Sequence, residues 1–228
     1  MNDIYIVNKN VEKIKNYRYT FFLDYKLQEL VKRKLGKVKY NIYIPYKDSE
    51  KVIFYSDTIP NVLLYEIKSK NNIRHQDIMG TLFNLGIDPS MYGDILIIDN
   101  HYYIYILDII ENYLLSNLLM INNSYVELNK IDINYLKNYE RSYEEINFIV
   151  SSERLDNIVS KLIHCNRDII NNKIKDKEIL VNYDIVKNSY NLKVGDILSI
   201  RKYGKYKYKG IIKTTKKNNY IVRIDKYI

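Results

Sequence analysis

Little in this sequence can cross-link the chain or restrict its backbone. Its 228 residues include one cysteine, three prolines, seven glycines and no tryptophan. A single cysteine, Cys165, excludes an intrachain disulfide framework, so we expect a reducing compartment. The three histidines have no spacing typical of a metal site. Because His164 is followed directly by Cys165 between two predicted helices, we expect both to serve packing rather than chemistry.

Long apolar runs are also missing. The most apolar region, 95–121, is interrupted by Asp99, Asp108 and Glu111, whereas a membrane span needs about 20 apolar residues. The opening stretch MNDIYIVNKN is polar and lacks the pattern of a signal peptide. The length of 228 residues is enough for one large domain or two to three small ones, and the hydrophobic content of 46% excludes wholesale disorder. We therefore expect a soluble, cytoplasmic monomer with no membrane partner.

What the chain does have is positive charge concentrated in its last third. Residues 151–228 contain 18 Lys and Arg against 8 Asp and Glu, a net charge of +10, while residues 1–150 carry −1. Such a localised field attracts polyanions, which makes nucleic acid or the ribosome the expected partner. An anionic membrane is the weaker alternative, because no predicted helix is both basic and strongly amphipathic.

Tyrosine is abundant as well, with 25 residues. It rises together with Ile, Asn and Lys, which indicates a bias toward A/T-rich codons. Tyrosine is therefore a poor marker of function in this chain.

The periodicity predicts an α+β fold. In an N-terminal α/β segment, 1–60, apolar residues recur on one helical face until Gly36, and two strands follow. The middle segment, 61–135, predicts the order β-α-β-β-α-β of a ferredoxin-like, RRM-like domain, with a tight turn at Asp99-Asn100 and Asp108 as a helix N-cap. That topology by itself implies no function. A linker, 136–147, precedes a C-terminal domain, 148–228.

The C-terminal domain carries the most specific motif. The stretch SSERLDNIVSKLIHCNRDII (151–170) predicts two helices, opening near Arg154 and Asn166, and strands with a terminal hairpin follow. The motif residues are Arg154-Leu155-Asp156, Asn166-Arg167, Ile179-Leu180-Val181-Asn182 and Gly195-Asp196. In order and spacing they resemble the S-four RNA-binding domain, which is named for a small-subunit ribosomal protein.

Three departures from the S-four pattern have structural consequences. Ile170 stands where the family has alanine, so its packing site must be roomier. Lys177 and Tyr183 replace glycines, so these positions need either a positive φ on a non-glycine residue or a different turn.

The S-four resemblance implies that Arg154 and Arg167 bind RNA. A helix N-terminus offers free N–H groups and partial positive charge, which suits phosphate. An arginine in the first turn is disfavoured by the helix dipole, so Arg167 calls for an explanation that a bound phosphate supplies. The alternative is that both arginines are solvated, or paired with Asp156 and Asp168. We expect Asp156 to cap or pair locally and Asn166 to cap the second helix.

The stretch RKYGKYKYKGIIKTTKK (201–217) has eight basic residues and no acidic one. Its lysines predict either a phosphate-tracking surface or a protected strand edge along the hairpin. Tyr203, Tyr206 and Tyr208 could stack on bases or simply reflect codon bias. The predicted RNA-binding residues are Arg154, Lys161, Arg167, Lys173, Lys175, Lys177, Arg201, Lys202, Lys205 and Lys207.

Over nearly its full length the chain resembles the bacterial YlmH family. The resemblance rests on RHQDIMGTLFNLGID and YGDILI in the middle segment, on the S-four domain after it, and on TFFLDYKLQEL near Thr20. It implies a factor of ribosome-associated quality control that binds rRNA and tRNA on the large ribosomal subunit. Such a factor would hold the P-site tRNA while the stalled chain is tailed, with other quality-control proteins on the same particle.

Other functions remain open at this stage. An RNA-modifying enzyme, or an accessory to one, is disfavoured because there is no Gly-rich cofactor loop, no His-x-Gly-His signature and no paired catalytic constellation. An rRNA-binding assembly factor would need the same basic domain, and a protein adaptor would use the near-neutral first two-thirds. We expect no enzymatic activity, no catalytic residues, no metal and no cofactor.

Overall fold

The computed structural model describes residues 3–228. The chain divides into two compact units, Met1–Glu140 and Arg141–Ile228, called here the N-terminal unit and the C-terminal unit. In the described residues there are six α-helices and three β-sheets, which confirms the predicted mixed α+β class.

The N-terminal unit contains four helices and two sheets. Its helices are α1 (Asp3–Lys15), α2 (Tyr25–Leu35), α3 (His75–Asn84) and α4 (Glu111–Asn117). Its strands are β1 (Asn41–Tyr43), β2 (Ile53–Tyr55), β3 (Val62–Ser69), β4 (Tyr92–Ile98), β5 (His101–Leu107), β6 (Met120–Ile121) and β7 (Ser124–Ile131). β1 and β2 form a two-stranded sheet, and the other five form the central sheet in the order β4-β5-β3-β7-β6.

The predicted helix near the N-terminus is α2. Asp24 caps it, since its carboxylate accepts the N–H of Leu27 at 2.8 Å, and Gly36 ends it with φ of 58°. The sequence reading missed α1, whose buried face is formed by Val7, Val11 and Ile14 at helical spacing. Those three residues pack with α2 and β2 in one apolar cluster.

The central sheet is buried on both faces. On one face lie α3 and α4, whose Ile78, Leu82 and Leu114 are fully buried. The other face carries Tyr103 and Tyr105 of β5, 6% and 0% exposed, beneath side chains of the N-terminal segment and of the turns after β7. A buried hydrogen bond of 2.7 Å from the Tyr46 hydroxyl to Oδ2 of Asp94 in β4 joins the N-terminal segment to the sheet. Tyr103 and Tyr105 therefore present no free face to a base.

Two local predictions in the central region had different outcomes. Asp99 and Asn100 form the turn between β4 and β5, with φ of 48° and 63°, as expected of a tight hairpin turn. The prediction that Asp108 caps the second helix was wrong. Asp108 begins a short 3-10 turn, and its carboxylate accepts the side-chain amide of Asn61 at 2.8 Å. The helix is also shorter than expected, because Met120 already belongs to β6.

The C-terminal unit contains one five-stranded sheet and two helices. Its strands are β8 (Tyr143–Val150), β9 (Ile179–Val181), β10 (Ile197–Ile200), β11 (Gly204–Thr214) and β12 (Tyr220–Tyr227), in the order β8-β12-β11-β10-β9. Helices α5 (Leu155–Leu162) and α6 (Arg167–Lys175) share one apolar core with this sheet. β8 begins inside the predicted 136–147 linker, so the connecting segment is shorter than the sequence indicated.

The glycine replacements in the C-terminal unit keep the glycine-like backbone. Lys177 and Tyr183 have φ of 60° and 65°, which confirms one of the two predicted solutions. Ile170 is fully buried in the core of the unit. The unit therefore has room for the larger side chain at that position.

Candidate nucleic-acid interface

The first turn of α5 is closed by a neighbouring loop. The N–H of Leu155 donates to the carbonyl of Tyr190 at 2.8 Å, and that of Asp156 to the carbonyl of Asn188 at 3.1 Å. A helix N-terminus binds phosphate through unsatisfied N–H groups. Because these groups already have acceptors, α5 contributes side chains rather than backbone to an anion site.

The N-terminus of α6 is different. Asn166 occupies the N-cap position, but its side chain makes no capping hydrogen bond, so the expectation that it caps through its side chain was wrong. Within residues 3–228, no hydrogen bond uses the backbone N–H groups of Arg167, Asp168 or Ile169. This end of α6 thus has the free donors and the dipole that an anion requires.

Arg154 is held by an acidic neighbour. Its Nε and Nη2 donate to the two carboxylate oxygens of Asp156 at 3.1 and 2.8 Å. The Arg154 side chain is 44% exposed, whereas that of Asp156 is 5% exposed. The hydrogen bond from Arg154 is the main cause that lowers the pKa of Asp156, with a smaller contribution from the charge of Arg167. The expected local pairing of Asp156 is present, and Arg154 has a structural role in addition to any contact with RNA.

Arg167 is oriented by a residue that the sequence reading did not single out. Its Nη2 donates to Oδ1 of the buried Asn157 at 2.7 Å. Asn157 in turn donates from Nδ2 to the carbonyl of Ser152 at 3.0 Å. No local sequence signal points to Asn157, which lies ten residues before its arginine.

An open polar groove passes this corner of the unit. Its lining includes Ser151, Asn157, Ser160, Lys161, Asn166 and Arg167. Arg167 and Lys161 therefore share one concave surface, and Arg154 is outside the lining.

Five of the other predicted residues lie near or beyond the end of α6. Lys173 and Arg201 contact Glu178, with N–O distances of 2.7 and 3.6 Å. The remaining three are exposed: Lys175, Lys177 and Lys202. Glu178 neutralises part of this cluster, which makes it less attractive to phosphate than its lysine count indicates.

Lys205 and Lys207 point away from the helices. They alternate along β11 with Tyr206 and Tyr208, which belong to the core shared with α5 and α6. Since successive side chains of a strand point to opposite faces, the two lysines lie on the outer face of the sheet. The ten predicted residues therefore do not form one continuous surface.

The basic hairpin departs from expectation in two ways. β11 pairs with both β10 and β12 at Tyr206 and Lys207, so Lys207 lies inside the sheet and does not protect a sheet edge. Tyr206 and Tyr208 are 5% and 0% exposed, and Tyr208 donates to Glu153 at 2.7 Å. The possibility that these two stack on bases was wrong, and Tyr203, 39% exposed, is the tail tyrosine with accessible surface.

Asn182 and Asp196, two motif residues, have structural roles. Asn182 Nδ2 donates to Asp196 Oδ1 at 2.8 Å, and Asn182 Oδ1 accepts the N–H of Ile197 at 2.9 Å. Asp196 is 5% exposed. Together they join the turn after β9 to the start of β10.

His164 and Cys165 are adjacent in the chain but have different environments. His164 is exposed, with φ of 53°, in the turn between α5 and α6, so the expectation that it packs in the core was wrong. Cys165 does pack against the core, as expected. His101 Nδ1 lies 2.8 Å from Glu66 Oε1. In residues 3–228 no three His, Cys, Asp or Glu side chains are grouped to hold a metal ion. None of the helices described has the length and apolar character needed to cross a bilayer.

The whole net charge of the chain resides in the C-terminal unit. Residues 141–228 contain 19 Lys and Arg against 10 Asp and Glu, a net charge of +9, whereas residues 1–140 contain 17 of each. The groove around Arg167 thus belongs to the strongly basic unit.

Comparison with known proteins gives related matches. A family model described as "Putative RNA-binding domain in YlmH" matches residues 61–135. The chain is 26% identical over 156 residues to "Ribosome-associated protein quality control protein P2" of Bacillus subtilis (strain 168), a match that covers 68% of this chain. It spans only 61% of the length of that relative.

A solved structure is also similar. "Cell division protein ylmH from Streptococcus pneumoniae" matches with a TM-score of 0.49 and 22% identity, over 60% of this chain and 94% of that one. The family model and the Bacillus subtilis relative each match part of the chain, and over residues 61–135 the chain is similar to the RNA-binding domain described for YlmH.

Proposed function

We propose that this protein is a non-enzymatic, cytoplasmic RNA-binding factor of ribosome-associated quality control. In this proposal the C-terminal unit is an S-four domain that binds rRNA and tRNA on the large ribosomal subunit, and the protein stabilises the P-site tRNA of a stalled chain. Residues 61–135 form a ferredoxin-like domain. The name of the Bacillus subtilis relative supports a role in ribosome-associated quality control. The positive charge of the C-terminal unit supports the assignment of RNA contacts to that unit.

The observation that carries the proposal is the arrangement at the start of α6. Arg167 is held by Asn157 through Nη2, which leaves Nε and Nη1 for a ligand, and the free backbone N–H groups of 167–169 lie at the same helix end. Lys161 lines the same groove. Guanidinium and helix N-terminus are both phosphate-binding groups, so one phosphate of an RNA backbone can use them together.

The middle segment is less suited to bind the RNA backbone. Residues 61–135 contain 4 Lys and Arg against 9 Asp and Glu, a net charge of −5. The sheet face that RRM-like domains use to stack bases is covered, with Tyr103 and Tyr105 buried. We therefore assign the main phosphate contacts to the C-terminal unit, and any RNA contact of the middle segment to another surface.

The test must separate binding from stability. Replacing Arg154 would leave the carboxylate of Asp156 buried without its partner, so loss of binding could follow from unfolding. The double variant Arg167→Gln/Lys161→Gln avoids this problem. Lys161 is exposed, and the glutamine at position 167 retains a side-chain amide that can donate a hydrogen bond to Asn157. Lys205→Gln/Lys207→Gln removes the same charge from the opposite face of the sheet and serves as the matched control.

The experiment is co-sedimentation with purified large subunits that do or do not retain peptidyl-tRNA, at several salt concentrations. We expect wild type to prefer the subunits with peptidyl-tRNA and to bind less as salt rises, because phosphate contacts release counterions. The Arg167/Lys161 variant should bind at least tenfold more weakly, with a salt slope smaller by about 1–2. Equal binding by this variant, or loss only in the Lys205/Lys207 control, would overturn the assigned site. Equal binding to both kinds of subunit would overturn the tRNA role.

A further inference from the structure

The N-terminal unit contains a cavity of about 400 Å³ between α1, the segment before α2 and the turn before β4. Much of its wall is apolar, formed by Ile6, Phe21, Phe22, Leu27 and Met91. Small-molecule sites have volumes of about 300–1,000 Å³ and walls of this kind. The cavity is therefore large enough for a compact ligand.

Two lysines of α1 lie one helical turn apart in the wall of this cavity. Lys9 and Lys13 both line it, and Lys13 Nζ lies 3.3 Å from the centroid of the Phe21 ring. Over the described part of the chain, neither ammonium has a hydrogen-bond acceptor or a carboxylate partner. Burial, followed by repulsion from Lys9 and Arg18, lowers the pKa of Lys13 to about 8.

The other charged groups of the cavity already have hydrogen-bond partners on the backbone. Lys51 donates to two backbone carbonyls at 2.7 and 3.0 Å. Asp24 and Asp88 each accept a backbone N–H of the helical turn that follows them, both at 2.8 Å. Tyr5 also lines the cavity and is exposed. The lining therefore holds three lysines and two carboxylates, a net charge of +1, and Lys9 and Lys13 are the two of these lysines without a hydrogen-bond acceptor in the described residues.

We propose that this cavity binds a small organic anion, whose phosphate or carboxylate is held between Lys9 and Lys13 and whose apolar body lies against Phe21, Leu27 and Met91. Like charges at i and i+4 destabilise a helix, and an anion between them removes that repulsion. Partial burial strengthens the attraction, because the effective dielectric constant is lower than in water. The site is in the unit that carries no net charge, and it does not depend on the RNA-binding function proposed above.

The experiment is isothermal titration calorimetry of the full chain at pH 7. One arm uses adenosine 5′-monophosphate and the other 4-hydroxyphenylacetate, so that phosphate and carboxylate are tested separately. Two controls each carry one part of adenosine 5′-monophosphate: inorganic phosphate has the charge without the apolar body, and adenosine has the body without the charge. We expect at least one of the two organic anions to bind, and at least tenfold more tightly than inorganic phosphate or adenosine. No binding of either anion at millimolar concentration, or equal binding of inorganic phosphate, would overturn the proposal.

Variants localise the site. Lys13→Met keeps most of the aliphatic stem in contact with Phe21 and should weaken binding at least tenfold, while Lys15→Met, an exposed position two residues further along α1, should have no effect. If Lys13→Met does not fold, Lys9→Gln tests the same site. An independent measurement is the NMR titration of Lys13, whose pKa should rise when the anion binds. An unchanged pKa in the presence of a binding anion would place that anion elsewhere and overturn the proposal.

Discussion

Arg167 and the buried Asn157 are joined by a hydrogen bond of 2.7 Å, from the guanidinium Nη2 to the amide Oδ1. Asn157 follows Asp156, which accepts two hydrogen bonds from Arg154. Two arginines that are thirteen positions apart are therefore held by adjacent residues in the first turn of α5. Since Arg167 is already oriented, a phosphate that binds it does not have to order this side chain fully.

The Arg154–Asp156 pair predicts a pH dependence of stability. Pairing lowers the pKa of Asp156 in the folded protein, so its stabilisation is complete above the unfolded pKa of about 4 and is lost as the pH falls through the folded pKa. Asp156→Asn should lose about 1.5–3 kcal/mol at neutral pH, the usual range for hydrogen bonds to a charged group. Urea unfolding of both proteins from pH 7 to pH 2 would measure this.

The difference between wild type and Asp156→Asn should shrink at acid pH, because protonation removes the charge from the native carboxyl. Hydrogen exchange of the α5 amides would show that the effect is local to the C-terminal unit. A difference that stays constant down to pH 2 would contradict the electrostatic origin of the stabilisation.

A glycine at position 177 should stabilise the C-terminal unit. Lys177 has φ of 60°, and a left-handed backbone costs a residue with a Cβ about 1–2 kcal/mol. Lys177→Gly should therefore gain up to about 1 kcal/mol, since the greater flexibility of the unfolded chain offsets part of the relief. Lys175→Gly, at an exposed helical position, is the control and should lose up to about 1 kcal/mol. Thermal unfolding of both variants would measure these changes. A loss of stability in Lys177→Gly would contradict the prediction.

The close packing at Gly93 predicts sensitivity of the covered sheet face. A Cβ there would lie 2.9 Å from Phe22 Cε1 and 3.1 Å from Tyr105 Cβ, and both side chains are buried. Gly93→Ala should destabilise the N-terminal unit by about 1–3 kcal/mol through overpacking.

The matched control for Gly93→Ala is Gly80→Ala. Gly80 lies inside α3 with nothing within 4 Å of an added Cβ, so alanine should stabilise the helix by about 0.5–1 kcal/mol. Denaturant unfolding followed by circular dichroism would give both values. Equal stability of Gly93→Ala and wild type would mean that Phe22 can move away from the sheet.

The tyrosines of the basic hairpin should separate into a core group and a surface group. Tyr208→Phe removes the hydroxyl that donates to Glu153 and should cost about 1 kcal/mol of stability, with no change in RNA affinity. Tyr203→Ala should change stability by less than about 0.5 kcal/mol, because the side chain is on the surface. Chemical unfolding and a filter-binding assay with large-subunit rRNA would test both. A large loss of affinity in folded Tyr208→Phe would contradict the core assignment.

Local features of this protein could be predicted from the sequence because their causes are local. Gly36 ends α2, and Asp99-Asn100 form the hairpin turn between β4 and β5. The positive φ at Lys177 and Tyr183 could also be anticipated from the glycines that these residues replace. Each of these signals acts over a few residues, through capping or backbone sterics, and needs no knowledge of distant partners.

The packing of distant segments determines which side chains are buried and which partner each charged group contacts. The alternating pattern of β11 does not reveal that Tyr206 and Tyr208 face the helices, or that Lys205 lies on the other side of the sheet. Likewise, Tyr105 is buried because segments far from it in the sequence, which contribute Phe22, Tyr46 and Leu136, lie over the central sheet. Burial depends on the packing of segments that are far apart in the chain. Composition and charge could therefore show that the last third of the chain is basic, but only the fold shows the groove around Arg167.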